Sequence, residues 1–276
     1  MLFSDVVGHS KELGIIRELL SKDRLPNSLI FSGPSGVGKK LVAQKLLKHL
    51  AGPLNVKVIG EEKPPTIEEV RELSRWLSLK PGEGEKKGAV IDKAELMRGE
   101  AANALLKTLE EPPEYGYIVL ITSNENALLP TIRSRCRIFR FGRLTDANVE
   151  LIMERLGVEC KSKKAAVKLA RGSAELALRL CEGEELLSLF KEFLELLKDK
   201  EKRLTKITLF SANFSKLSRE DAELFLNLFE NFLLEKGAIT GWADKIARAR
   251  LFLRSYGKPQ SVIEWLLIEK LVGGAF

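Results

Sequence analysis

Cysteine is scarce in this chain. There are three in 276 residues, at positions 136, 160 and 181. None forms a Cys-x-x-Cys pair, and their spacing fits no zinc site. An odd, sparse set gives little ground for a disulfide scaffold, so the expectation is three reduced thiols. Glutamine is nearly missing, with only Gln44 and Gln260, while lysine and glutamate abound. That bias resembles a thermophile's usage. No apolar run approaches the length of a membrane span. The first residues, Met1-Leu2-Phe3-Ser4-Asp5, lack a basic stretch followed by an apolar core. A soluble cytoplasmic protein is therefore expected. No internal repeat or low-complexity stretch is present.

What is there suffices for packed cores: 45% of the residues are hydrophobic. The formal net charge of +7 is diffuse. It permits contact with a phosphate backbone without requiring it. Lys198 to Lys206 form a charge run of the kind that usually makes a solvated face.

The first half alternates between strand and helix patterns. Apolar residues at helical spacing lie between Asp5 and Leu20. Short apolar runs at Ser28–Ser32, Val56–Ile59, Gly88–Ile91, Tyr117–Thr122 and Arg137–Phe141 read as strands. Helices are expected from about Val37 to Leu50, after Thr66, and from about Glu100 to Leu109, before Pro112-Pro113. Thr66-Ile-Glu-Glu69 has the pattern of a capping box. Strands separated by helices imply a parallel sheet between helical layers. Beyond Gly142 the strand pattern ends. Helices are expected at Thr145–Leu156 and Lys163–Leu180. Leu224, Phe225, Leu228, Phe229 and Phe232 form an apolar stripe. Further stripes begin at Ile246, Leu251 and Phe252 and at Val262, Leu266 and Leu267. Such stripes read first as helical core and second as a partner-binding face.

Gly33-Pro-Ser-Gly36-Val-Gly38-Lys39-Lys40 follows a strand and opens a helix, the context of a phosphate-binding loop. Gly33, Gly36 and Gly38 let backbone N–H groups turn inward, and Lys39 reaches outer phosphates. Such loops normally continue with Ser or Thr, whose hydroxyl ligates magnesium. Lys40 has no lone pair to give and repels the ion. Gly88-Ala-Val-Ile-Asp92 is the matching apolar strand ending in an acid, and Asp92 is the candidate magnesium partner. Lys93 follows, and a cation there is no general base. Glu95, two residues on, is expected to point elsewhere.

Ala101-Ala-Asn-Ala-Leu-Leu-Lys-Thr-Leu-Glu-Glu-Pro-Pro113 closely resembles a helix and turn shared by bacterial clamp loader subunits of the AAA+ class. Phe3-Ser-Asp-Val-Val-Gly8, Arg24 to Gly33 and Ser134-Arg135-Cys136 match further family motifs in order, over roughly residues 3–142. The resemblance implies three domains: an AAA+ domain at 1–142, a helical lid at 143–186 and a helical oligomerisation collar at 187–276. It implies a DNA polymerase III hetero-pentamer with gamma/tau and delta subunits that sets a sliding clamp on primed DNA. It makes Arg135 an arginine finger acting in trans on a neighbour's ATP. Val6, Val7 and Gly8 match the lining of the adenine pocket, and Ser123 and Asn124 the first sensor. Gly172-Ser173-Ala174-Glu175 matches the start of the second-sensor helix, where hydrolysing members carry Arg in place of Glu175. Arg98, near the start of the Glu100–Leu109 helix, is the candidate DNA contact. No cysteine lies between Leu50 and Thr66, where many family members carry a zinc module, so no zinc is expected.

Lys40, Lys93 and Glu175 depart from the hydrolysing pattern at metal ligand, base and phosphate sensor. With Arg135 retained, they resemble a non-hydrolysing stator of the delta-prime type, binding ATP or ADP weakly and requiring no cofactor. A hydrolysing gamma/tau-type subunit is the first rival. An AAA+ DNA-binding factor outside replication is the second.

Overall fold

The computed structural model describes residues 2–198, 204–255 and 257–273. The centre of the Lys198–Lys206 charge run, residues 199–203, lies outside them. Two compact units are present. One comprises the residues to Ile152 together with Gly172–Glu175; the other comprises Met153–Arg171 and the residues from Leu176 on. The division falls inside two helices, so the stretch 143–186 is shared between the units.

The first unit is a five-stranded parallel sheet between helices, the expected fold class. In chain order it runs α1 (Ser10–Ser21), β1 (Ser28–Ser32), α2 (Lys39–Ala51), β2 (Val56–Ile59), α3 (Ile67–Ser78), β3 (Lys87–Ile91), α4 (Gly99–Glu110), β4 (Gly116–Thr122), α5 (Pro130–Arg133) and β5 (Arg137–Arg140). The strand order is β2-β3-β4-β1-β5, all parallel. Alternation along the central strands supplies both faces at once. Leu29, Phe31, Val119 and Ile121 pack with Leu13, Ile16, Val42 and Leu46 of α1 and α2. Ile30, Ala89, Ile118 and Leu120 pack with Val70, Leu73, Leu105 and Leu109 of α3 and α4.

Turn chemistry sets several boundaries. Thr66 caps α3 in a complete capping box: its side chain accepts from the Glu69 N–H at 3.2 Å, and Glu69 accepts from the Thr66 N–H at 2.8 Å. α1 starts later than the apolar pattern suggested. His9 stands at its N-cap in a left-handed conformation (φ 54°) and joins Val37 O at 2.8 Å through Nε2.

The remaining helices are α6 (Asp146–Arg155), α7 (Lys163–Ala170), α8 (Ala174–Glu182), α9 (Glu184–Lys198), α10 (Leu204–Phe214), α11 (Arg219–Glu235), α12 (Ala243–Arg254) and α13 (Pro259–Gly273). The single helix expected over Lys163–Leu180 is two. Arg171 (φ 46°) and Gly172 (φ 81°) turn the chain left-handed between them. At Gly172 a Cβ would lie 2.3 Å from Leu144 O, so this tight approach requires glycine. The second unit is built on aromatic rings: Phe190, Phe193, Phe210, Phe214, Phe225 and Phe229 are all fully buried. Phe193 meets Phe225 and Phe229 edge-on, at centroid separations of 5.2 and 5.0 Å. The stripe at Ile246, Leu251 and Phe252 divides. Ile246 is buried, while Leu251 and Phe252 are 67% and 52% exposed.

Two of the three thiols expected to be reduced are paired. Cys160 and Cys181 form a disulfide with Cα atoms 5.4 Å apart, and Cys136 alone is free. The left-handed break between α7 and α8 returns the chain on itself and brings together residues 21 positions apart. Thr66→Ala should cost about 1 kcal/mol by removing the cap. Thermal unfolding of the purified chain should show the first unit's transition lowered by roughly 2–4 °C.

Candidate nucleotide site

The strand-end side of the sheet carries the phosphate loop, with the ends of β1, β3 and β4 side by side. Gly33, Gly36 and Gly38 all have positive φ (147°, 73° and 98°). Two of them answer to packing within the unit. A Cβ on Gly33 would lie 2.0 Å from Phe141 O, and one on Gly36 would lie 2.0 Å from Ser173 Oγ. Only at Gly38 is the surrounding space open. The Gly172–Glu175 segment is thus seated on the loop, and the Glu175 N–H donates to Gly36 O at 3.3 Å.

Lys39 is 6% exposed, and its ammonium donates to Gly33 O and Pro34 O, both at 2.6 Å. Burial pushes its pKa down to about 8, although Glu95, Asp92 and Glu175 pull the other way. Lys40 lies against two acids, 2.5 Å from Glu61 Oε1 and 3.6 Å from Asp92 Oδ2. Burial opposes its charge. The hydrogen bond to Glu61 and the charge of Asp92 outweigh that effect and hold the ammonium above its ordinary range. Asp92 Oδ1 accepts from the Lys93 N–H at 2.9 Å.

These residues do not fit a magnesium ion. The hydroxyl position carries an ammonium, and that ammonium already faces the acid available to the metal. Lys93 brings no base: its Nζ donates to the carbonyls of Glu61 at 2.6 Å and Glu62 at 3.4 Å.

Glu95 corrects the sequence reading, because it turns toward the site. Lys93 is left-handed (φ 51°), and the one-turn helix Ala94–Leu96 swings the carboxylate back to the end of β4. There Glu95 Oε1 accepts from the Ser123 N–H at 3.1 Å and from the Ser123 hydroxyl. Ser123 holds this acid, while Asn124 is spent on a turn, accepting from the Asn126 N–H at 3.0 Å. The backbone conformation at residue 93 was the missing signal. His9 was missed as well: it ties the opening segment to the loop at Val37 and meets the Phe141 ring edge-on at 5.0 Å.

Val6 packs against the core beside α1, and a Cβ on Gly8 would lie 2.5 Å from Leu144 Cδ2. Val7 is half-buried nearby in sequence. Arg98 is exposed at the N-cap of α4.

Arg135 lies at the other end of the sheet. It precedes β5, an edge strand whose first residue, Arg137, pairs with Leu29 near the start of β1. The phosphate loop begins at Gly33, past the end of β1. At about 3.3 Å per strand residue, the length of β1 alone separates the two by roughly 13 Å. The guanidinium pairs with Glu110 Oε1 at 2.7 Å and donates to Thr131 O at 2.9 Å, with a third of its side chain exposed. Cys136 beside it packs inward, and burial pushes its thiol up to about 12.

Lys39 binds its proton less tightly folded than unfolded, so unfolding takes up protons between about pH 8 and 10.5. Stability should therefore rise with pH across that window, by at most about 1.4 kcal/mol per pH unit from this group. In Lys39→Met that increment should vanish, as read from denaturant unfolding at pH 8, 9 and 10.

Residues 54–145 match the family model for the DNA polymerase III delta subunit. The chain is 32% identical to the tau/gamma subunit of DNA polymerase III from Haemophilus influenzae, over 64% of this chain and 30% of that one. It is 30% identical to the replication factor C small subunit of Methanococcus maripaludis, over 66% of this chain and 57% of that one. The chain thus spans less than two thirds of the length of either relative. Its fold is similar to the crystal structure of a DNA polymerase III gamma subunit-related protein from Thermotoga maritima. The TM-score is 0.57 at 21% identity, covering 94% of this chain and 99% of that one. Over part of its length the chain is thus similar to subunits of DNA polymerase III and of replication factor C.

Proposed function

We propose that the chain is a non-hydrolysing stator of a clamp loader, of the delta-prime type. It lends Arg135 to a neighbouring subunit's ATP during loading of a sliding clamp on primed DNA. The observation that carries this reading is the division of labour across the sheet. The chain's own phosphate loop has its cations committed to internal partners at one end. A partly exposed arginine stands at the other end, too far to serve that loop. A planar, permanently charged guanidinium suits phosphate oxygens, and its surface contacts to Glu110, Thr131 O and Ser134 Oγ are exchangeable on docking. Gamma/tau and delta subunits are the partners this role requires. The exposed Arg98 offers a backbone-phosphate contact.

The second unit supplies a docking surface for the collar role. α12 and α13 border an apolar groove of about 500 Å³ lined by Leu251, Phe252, Val262 and Trp265. Nucleotide, where it binds, does so weakly and without magnesium, since Lys40 carries the positive charge. A second reading, a hydrolysing gamma/tau-type subunit, is favoured by Glu95, whose carboxylate does reach the site.

Arg135→Ala should lower ATP turnover of the reconstituted loader at least tenfold while assembly on gel filtration stays intact. Unchanged turnover would remove Arg135 from the mechanism. Titration of a fluorescent ADP analogue should give the same weak affinity in magnesium and in chelator. Affinity that depends on magnesium in the wild type would favour the second reading.

A further inference from the structure

We propose that Cys160 and Cys181 are a reversible redox modification site, a clasp that holds the second-sensor segment in place. The two thiols close a loop whose ends lie 21 positions apart, with Cα atoms 5.4 Å apart. Within that loop sit α7, the left-handed turn at Arg171 and Gly172, the Ser173–Glu175 segment and most of α8. Ser173 and Glu175 are the residues seated on the phosphate loop at Gly36. The covalent link therefore brackets the segment that closes over the candidate nucleotide site.

The helices it brackets are short. α7 has eight residues and α8 nine, lengths at which an isolated helix is unstable. Their buried positions include the small side chains Ala166, Ala170 and Ala177, which contribute little apolar area. Closing the loop covalently reduces the freedom of the unfolded segment. The third cysteine does not compete. Cys136 is packed against the sheet, and its thiol, pushed up to about 12, stays protonated and unreactive near neutrality.

The two residues differ in exposure. Cys160 is half-buried in the segment before α7, whereas Cys181 is 7% exposed in the last turn of α8. The reductant this arrangement suits is a protein dithiol. Its thiolate attacks Cys160 Sγ, the bond to Cys181 breaks, and Cys181 leaves as a thiolate that takes up a proton. The second thiol of the dithiol then releases Cys160. Two electrons pass to this chain, and the dithiol becomes a disulfide. A glutathione-type disulfide runs the reaction in reverse.

This inference stands on the disulfide and on the seating of Ser173 and Glu175 at Gly36, and not on the stator role, so either can fail while the other holds. The test uses the full chain, alkylated under denaturing conditions and read by mass spectrometry before and after dithiothreitol. One modified cysteine, Cys136, is expected before reduction and three after. Reduction should lower the unfolding midpoint by roughly 5–10 °C. It should also speed amide exchange at 33–38 and 172–175. The Cys160→Ser/Cys181→Ser variant should match the reduced wild type and ignore dithiothreitol. Should that variant fail to fold, chemical reduction of the wild type remains the test. Three free thiols after incubation with oxidised glutathione, or a disulfide-linked dimer on a non-reducing gel, would overturn the clasp. So would a midpoint and exchange rates that reduction leaves unchanged.

Discussion

The ammonium of Lys40 between Glu61 and Asp92 sets the character of the site. A divalent ion and a protonated amine both neutralise acids at the end of a strand, but they are not equivalent. The metal accepts lone pairs from phosphate oxygens and from water; the amine only donates hydrogens. With the amine in that place, Asp92 faces a fixed cation at 3.6 Å. Lys39 follows the same logic. Deep in the loop, it takes two carbonyls of its own backbone as partners, and three nearby carboxylates support its charge.

This internal closure costs the loop little in packing, because the glycines were needed anyway. Gly33 and Gly36 admit Phe141 and Ser173 at distances no side chain would tolerate. Two of the loop's three glycines, Gly33 and Gly36, thus meet steric demands that hold with or without a phosphate. The same residues that resemble a nucleotide cradle join the sheet to Phe141 and to the Gly172–Glu175 segment.

Much of the first unit was legible in the sequence because it rests on short-range signals. The five apolar runs gave the strands to within a residue, and the Thr66 capping box is present as read. What escaped depended on backbone hand. Glu95 reaches the site past a left-handed Lys93, and the α7–α8 break pairs Gly172 with a left-handed Arg171, a residue with no turn preference of its own. The disulfide was illegible for the same reason: that break brings Cys160 and Cys181 together, and spacing alone carried no trace of it. In the second unit, periodicity found helices but did not say which stripe faces out, so Leu251 and Phe252 read as core and stand exposed.

The central claim is that cations fixed in the chain have replaced the metal-dependent chemistry of the loop. It is tested most directly by ATP hydrolysis of the isolated chain in magnesium, measured beside its Lys39→Ala variant. The account predicts no turnover by either protein. Turnover by the wild type that disappears in the variant would contradict it.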